Sequence, residues 1–509
     1  MTADTQQPVF DFLASRAPDV TRIDTHAASV FLSGDRALKV KRAVRFTFLD
    51  FSTLDKRKAA CEAEIEVNKP YAPDIYRGVV AITREADGTL TIGGKGEPVE
   101  YAVEMARFDE TQTLDHVAAQ GRIDDALADK LGRAVARAHG IAPVMRDAKF
   151  AATLDEIIAQ NDGELTGFPD LFDGAAVKAL TTASRAALNR LRPLLESRER
   201  AGYVRRCHGD LHLGNLVLID KAPLLFDALE FNEKLATIDR FYDLAFLLMD
   251  LIERDLAPQA TTVLNRYLTD FGDDGDFDAL ALLPLLMSLR AAIRAKVTAA
   301  RPKRDAALDT SARAYFALAQ KLIAPPVPKF IAVGGLSGTG KSVLARALTA
   351  HVPPLPGAVW LRSDVIRKQL FGKAETEPLP PDAYTPEVTK RVYSALADKA
   401  ARIVAAGHSV IADAVFARAR ERMEIEQAAP GMFQGLFLTA DVETRIARVG
   451  GRRGDASDAD AKVARAQEDY DLGEMTWAKV DASGTPQETL RKARAFLPSP
   501  LAGEGARTK

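Results

Sequence analysis

The chain has 509 residues, 47% hydrophobic and 27% charged, enough apolar material for several cores and too long for one ordinary domain. A formal net charge of −2 excludes a global basic field for nucleic acid or anionic membrane. The two cysteines, Cys61 and Cys207, lie too far apart in sequence to suggest a disulfide framework or a zinc cluster, and they fit a reducing, cytoplasmic setting.

The first twelve residues carry acidic and amide side chains where a signal peptide needs a basic start and an apolar run. Residues 29–33, 37–40, 79–83, 89–92 and 101–108 alternate as strands, with hairpin turns at Gly34-Asp35 and Asp87-Gly88. Residues 54–69 have helical composition and stop before Pro70. The expectation is a small sheet with one inserted helix. On the strand Arg36-Ala37-Leu38-Lys39-Val40-Lys41, alternation puts Lys39 and Lys41 on one face. Either could anchor ATP. Lys39 is favoured by its apolar setting, and Glu64 is the best ion-pair partner, with Glu62 and Glu66 as rivals.

Residues 111–323 read as mostly helical, with apolar spacing of the helical kind. The runs at 241–252 and 280–289 are broken by Asp243, Asp250 and Pro284 and are too short to cross a bilayer. A β-like interruption at 204–227 contains His208-Gly209-Asp210-Leu211-His212-Leu213-Gly214-Asn215. His-x-Asp-x-x-x-x-Asn is the skeleton of a kinase catalytic loop. Asp210 would orient and deprotonate an acceptor hydroxyl, Asn215 would ligate Mg²⁺, and His208 would brace the loop. The metal needs a second carboxylate on the next strand, and Asp227, after Leu224-Leu225-Phe226, supplies it. Glu230 could add a second acidic contact.

Three prolines in Ala324-Pro325-Pro326-Val327-Pro328 stop a helix and hold the backbone extended. Beyond them the rhythm becomes βαβ, with strands expected at 330–333, 358–361, 409–412 and 436–439. Between the first strand and a helix at 342–350 lies Gly335-Leu336-Ser337-Gly338-Thr339-Gly340-Lys341-Ser342-Val343. This is a phosphate-cradling loop in its confirming context. Its glycines admit close backbone approach, Lys341 reaches the β- and γ-phosphates, and Ser342 ligates Mg²⁺; Ser337, Thr339 and Val343 complete the nucleotide contact. Asp364 follows the second strand and is placed to take a proton from a substrate hydroxyl, or else to cap a helix; Arg367 is placed to hold an anionic group. Asp413 ends the third strand, where a carboxylate holds Mg²⁺ through water. Arg445, Arg448, Arg452 and Arg453 surround Gly450-Gly451 and suit a lid over ATP.

These residues give residues 329–497 a resemblance to the zeta-toxin, gluconate-kinase and polynucleotide-kinase group of P-loop kinases, including the segment Gly454-Asp455-Ala456-Ser457-Asp458-Ala459. The resemblance implies that Asp364 is the base and that lid arginines such as Arg448 and Arg452 touch the nucleotide. His208 to Asn215, Asp227 to Phe231 and Asp239-Arg240-Phe241-Tyr242-Asp243-Leu244-Ala245 make residues 20–320 resemble the aminoglycoside phosphotransferase-like branch of the kinase superfamily. Two departures stand out. Thr25-His26-Ala27-Ala28-Ser29 lacks the glycines of a nucleotide loop, and Asp227 is followed by Ala-Leu rather than Phe-Gly. The tandem order is similar to bacterial proteins described as an aminoglycoside phosphotransferase fused to an ATP-binding kinase domain.

The expected architecture is an α+β kinase-like bilobal domain over 1–323 (small lobe 20–108, large lobe 109–323) and a proline-rich linker at 324–328. An α/β P-loop domain with a parallel sheet follows over 329–497, then a disordered tail at 498–509. The expected function is a bifunctional phosphotransferase using ATP and Mg²⁺ on small-molecule hydroxyls, with no membrane or nucleic-acid partner. The alternatives are one active P-loop kinase with a regulatory nucleotide-binding partner domain, and a nucleotide-gated interaction protein.

Overall fold

The computed structural model describes residues 6–46, 49–451 and 456–497. Arg452, Arg453, Gly454 and Asp455 of the expected lid, and the tail 498–509, lie outside the described residues. The chain forms two compact units, Met1–Arg254 with Leu285–Gln320, and Asp255–Pro284 with Lys321–Lys509. The sequence division at residues 324–328 therefore differs from the contact division: thirty residues from the helical region join the second unit.

In the first unit, six antiparallel strands form one sheet: β1 Thr21–Asp24, β2 Ala28–Ser33, β3 Arg36–Lys41, β4 Tyr76–Arg84, β5 Leu90–Ile92 and β6 Glu97–Ala106, in the order β1-β2-β3-β6-β4-β5. Period-two alternation divides its side chains between two cores. Phe31, Leu38 and Val40 face Val9, Phe10 and Leu13 of the helix Gln7–Ala14. Leu32, Ala37 and Val103 face Cys61 and Ile65 of the helix Leu54–Asn68. Thr53 starts that second helix by accepting the Lys56 N–H, the usual N-cap arrangement. Lys39 and Lys41 follow Ala37 in register, so both turn towards this helix.

The rest of the unit is helical apart from two ribbons. β7 Val204–Arg206 pairs antiparallel with β10 Thr237–Asp239, and β8 Leu216–Ile219 with β9 Ala222–Leu225. The segment from Cys207 to Asn215 joins one ribbon to the other. Among the described residues, no helix is long and apolar enough to cross a membrane, as the interrupted runs implied.

In the second unit, β11 Phe330–Gly335, β12 Val359–Arg362, β13 Val410–Asp413, β14 Phe433–Thr439 and β15 Ala478–Asp481 form a parallel sheet ordered β12-β13-β11-β14-β15. The sequence reading located the first four. The near-continuous burial of β11 and β13 is what a strand covered on both faces requires. From β11 the chain moves outward to β12 and then returns to β13, so the order reverses around β11. In such sheets ligands bind beyond the carboxyl ends of the strands at that reversal. The glycine-rich loop leaves β11 there, and Asp413 ends β13 in register with Val333.

Candidate functional sites

In the first unit, Lys39 Nζ lies 2.8 Å from Glu64 Oε1 and 2.6 Å from Asp227 Oδ1. Lys41 is also engaged: its Nζ is 2.5 Å from Glu64 Oε2 and contacts Glu230. Both lysines thus reach Glu64, but only Lys39 bridges to Asp227. Glu62 is exposed and pairs with Lys58. Glu64 is completely buried, which pushes its carboxyl up, yet the two ammonium groups override burial and hold it down at about 2. Three carboxylates share two ammonium groups, and burial raises the Glu230 carboxyl against the pull of Lys41.

Asp227 adopts a left-handed backbone, φ 59°. Its N–H donates to the Tyr76 hydroxyl at 3.0 Å, and the next N–H, of Ala228, donates to Asn68 Oδ1 at 2.7 Å. These bonds fix a conformation that is costly for a non-glycine residue.

The catalytic-loop skeleton is held from below. Asp243 Oδ2 accepts the His208 N–H and Oδ1 the Gly209 N–H, at 3.1 and 3.0 Å. Asp250 accepts the Leu213 N–H at 2.9 Å, and Arg290 donates to the Gly209 carbonyl at 3.2 Å. His208 Nε2 meets the Phe226 carbonyl at 2.9 Å, and burial holds its ring below the usual histidine range. It therefore stays neutral and links the loop to the strand end before Asp227. Asn215 Nδ2 donates to Asp210 Oδ2 at 3.0 Å. Burial would raise the Asp210 carboxyl, but the neighbouring His212, 3.5 Å away, with His208 and Arg290, brings it below the carboxylate range. Asp210 is thereby kept ionised. Asn215 spends its amide nitrogen on Asp210, so its carbonyl oxygen and the Asp227 carboxylate are the oxygen donors that could hold Mg²⁺.

In the second unit, Gly335 and Gly338 occupy positions closed to other residues. Both have positive φ, and a Cβ would lie 2.6 Å from Thr339 Oγ1 at the first and 2.4 Å from the Arg445 carbonyl at the second. Gly340 precedes the helix Lys341–Thr349, whose N-terminal N–H groups favour an anion. Lys341, Ser337 and Thr339 are buried, whereas the Val343 side chain is exposed. The Ser342 hydroxyl lies beside Asp413 and acts to lower its carboxyl. Asp413 is buried, which raises its carboxyl against the charges of Lys341 and Arg362, and among the described residues its Oδ1 has no hydrogen-bond partner. A buried orphan carboxylate oxygen beside a serine hydroxyl fits a hydrated Mg²⁺.

Asp364 sits in the first turn of the helix Ser363–Leu370. Arg367 donates to the Ala383 carbonyl at 2.6 Å and lies over the Tyr384 ring, so its guanidinium supports the structure around Asp364. Among the lid arginines, Arg448 donates to the Ala482 and Gly484 carbonyls at 2.9 and 3.0 Å. Its Nη1 lies 4.0 Å from where a Gly340 Cβ would stand, at the rim of the phosphate loop. Arg445 is a buried staple, donating to Ser337 O at 2.9 Å and to Ala464 O at 2.7 Å.

Several supporting residues escaped the sequence reading. Asp250 and Arg290 lie far from the loop in sequence, and nothing local announces their bonds to it. Gln467 accepts the Ser337 N–H of the phosphate loop at 2.6 Å, again without a local signal. Asp458 takes Lys368 Nζ at 2.8 Å and the Tyr384 hydroxyl; it stood within a quoted motif, but its partners could not be read.

Residues 77–283 match the phosphotransferase enzyme family and residues 330–470 match the AAA domain family. The first match runs on through residues that pack in the second unit. An uncharacterized protein of Mycobacterium tuberculosis is 29% identical over 488 residues, spanning 92% of this chain and 94% of its own; a Mycobacterium bovis protein matches equally. A gluconokinase from Sinorhizobium meliloti is 24% identical, covering 33% of this chain and 91% of its own with a TM-score of 0.25. A choline/ethanolamine kinase family protein from Mesorhizobium loti is 16% identical, covering 63% and 96% with a TM-score of 0.39. The two matches thus lie in tandem, the segment similar to the phosphotransferase enzyme family preceding the segment similar to the AAA domain family that carries the glycine-rich loop.

Proposed function

We propose that the protein is a bifunctional ATP-dependent phosphotransferase, each unit moving the γ-phosphate of ATP to a hydroxyl group of a small molecule. The observation that carries this reading is the Lys39 bridge to both Glu64 and Asp227. A degenerate kinase-like unit has no reason to keep a largely shielded ammonium between a buried helix carboxylate and the proposed metal-ligand position. The intact phosphate loop supports the same reading for the second unit.

In the first unit, Lys39 reaches the α- and β-phosphates, steadied by Glu64. Asn215 and Asp227 would hold Mg²⁺, and Asp210 would orient the acceptor hydroxyl and take its proton as that oxygen bonds the γ-phosphorus and the bond from the γ-phosphorus to ADP breaks. In the second unit, Lys341 and the loop N–H groups hold the phosphates, Ser342 and Asp413 hold Mg²⁺, and Asp364 is the base; Arg448 borders the nucleotide. Mg²⁺, when bound, neutralises charge on the transferring group. Two buried free cysteines and an ATP-dependent reaction are consistent with a cytoplasmic protein.

Incubating the full chain with ATP, Mg²⁺ and panels of sugars, polyols, aminoglycosides and nucleosides, followed by phosphorus NMR, tests this reading. A new phosphate monoester is the expected product. Hydrolysis to free phosphate with every acceptor class would count against it and favour a nucleotide-gated switch.

A further inference from the structure

β12 is the edge strand of the second unit's sheet, and its outer edge is covered by a helix from a distant part of the chain, Ala257–Phe271. Asn265 uses its side-chain amide as a strand would use its backbone, donating to the Ala358 carbonyl at 3.0 Å and accepting the Trp360 N–H at 2.6 Å. Thr261 donates to the Pro356 carbonyl at 2.5 Å. The strand so fixed ends in Arg362, which is in register with Asp413 on β13. Arg362 Nε lies 4.0 Å from Asp413 Oδ2, and Nη1 lies 3.0 Å from Glu375 Oε1. The other oxygen of Glu375 is 2.7 Å from Arg266 Nη1, on the same helix as Asn265.

We propose that Arg266 and Glu375 are positioning residues for phosphoryl transfer in the second unit, holding Arg362 against the carboxylate of Asp413. The three side chains are largely shielded from solvent, at 16% exposure for Arg266, 22% for Glu375 and 11% for Arg362. Their attraction is therefore less screened than that of surface pairs. Glu375 is shared between two guanidinium groups, so its place is set from both sides. Removing Arg266 leaves Glu375 with a single tether, and Arg362 then swings with it. The helix Ala257–Phe271 is thus a working part of the P-loop site. This inference rests on the reading of the second unit as a phosphoryl-transfer site.

The test uses the full chain with Asp210→Asn, so that turnover reports the second unit, and adds Arg266→Ala, Arg266→Lys, Glu375→Gln or Arg402→Ala. Arg402 pairs with Asp278 at 2.8 Å, anchoring the same inserted segment away from Asp413, and serves as the structural control. Both tryptophans, Trp360 and Trp477, lie in the second unit, so their fluorescence reports MgADP binding and unfolding there. Arg266→Ala and Glu375→Gln are expected to lower kcat about ten- to a hundredfold with little change in KM for MgATP, as small misplacements do. Arg266→Lys should restore most of the loss, and Arg402→Ala should leave kcat unchanged at a similar Tm. Equal kcat loss in Arg266→Ala and Arg402→Ala, or a Lys341-dependent turnover indifferent to Arg266→Ala, would overturn this proposal alone. Turnover that survives Lys341→Ala would instead overturn the functional reading beneath it.

Discussion

Asp243 accepts the backbone N–H of His208 through one carboxylate oxygen and that of Gly209 through the other, at 3.1 and 3.0 Å. The loop that carries Asp210 is therefore shaped by a buried carboxylate 34 and 35 residues downstream of the two N–H groups it accepts. Asp243→Asn keeps the shape but turns an NH₂ towards one of these donors. It should cost about 3 kcal/mol of stability, as loss of a charged, buried acceptor does, and phosphoryl transfer by the first unit should fall with it. Chemical denaturation and acceptor phosphorylation of the same variant check both effects.

The two roles assigned near Asp210 separate experimentally. Asp227→Ala should abolish Mg²⁺-dependent nucleotide binding by the first unit, because it removes a metal ligand and frees Lys39 from its 2.6 Å partner. Asp210→Asn should spare binding and stop transfer. Calorimetry with MgATP on the full chain, with Lys341→Ala in the background to silence the second unit, measures each. Equal binding with and without Asp227 would remove it from the metal site.

In the second unit, Lys341→Ala removes a preorganised charge from the phosphate loop. Such losses cost roughly 3–4 kcal/mol of transition-state stabilisation, about a hundred- to a thousandfold in rate. Asp364→Asn should lower transfer while nucleotide affinity, read by tryptophan fluorescence, is retained. Full activity of Asp364→Asn would reduce that residue to a helix-terminal cap.

Much of this was legible in the sequence, because the phosphate loop and the Asp210–Asn215–Asp227 set are local patterns whose spacing is imposed by chemistry. The order of Lys39 and Lys41 was not legible, since alternation puts both on one face; only Asp227, brought in from far along the chain, separates them. β1, β10 and β15 were missed. They are three or four residues long and largely polar, and they become strands through their partners rather than through their own pattern. The entry of Asp255–Pro284 into the second unit could not be read either. Asn265, Arg266 and Thr261 are ordinary residues of an amphipathic helix until β12 is laid against them. A fragment starting at residue 329 would expose that edge, so it should aggregate or melt without cooperativity, even though the proline-rich linker at 324–328 reads as a domain boundary.

His408 supplies a pH test. Buried, with Nε2 2.9 Å from the Gly357 carbonyl, its ring is pushed down to about 4 by loss of solvation. The unfolded chain takes up this proton near pH 6.5 and the folded chain only near 4. The stabilisation is thus complete above 6.5 and is lost as pH falls through that window, by about 3 kcal/mol in all. Urea unfolding followed by tryptophan fluorescence should show this acid loss in the wild type. His408→Gln should flatten it while keeping the donor to Gly357.

Transfer of labelled γ-phosphate by the full chain, in the wild type, Asp210→Asn, Lys341→Ala and the double variant, bears most directly on the claim of two active sites. With the acceptors found by screening, each single variant should lose one phosphorylated product and keep the other, and the double variant should lose both. One substitution abolishing every product, with the other changing none, would contradict the account and leave a single catalytic unit.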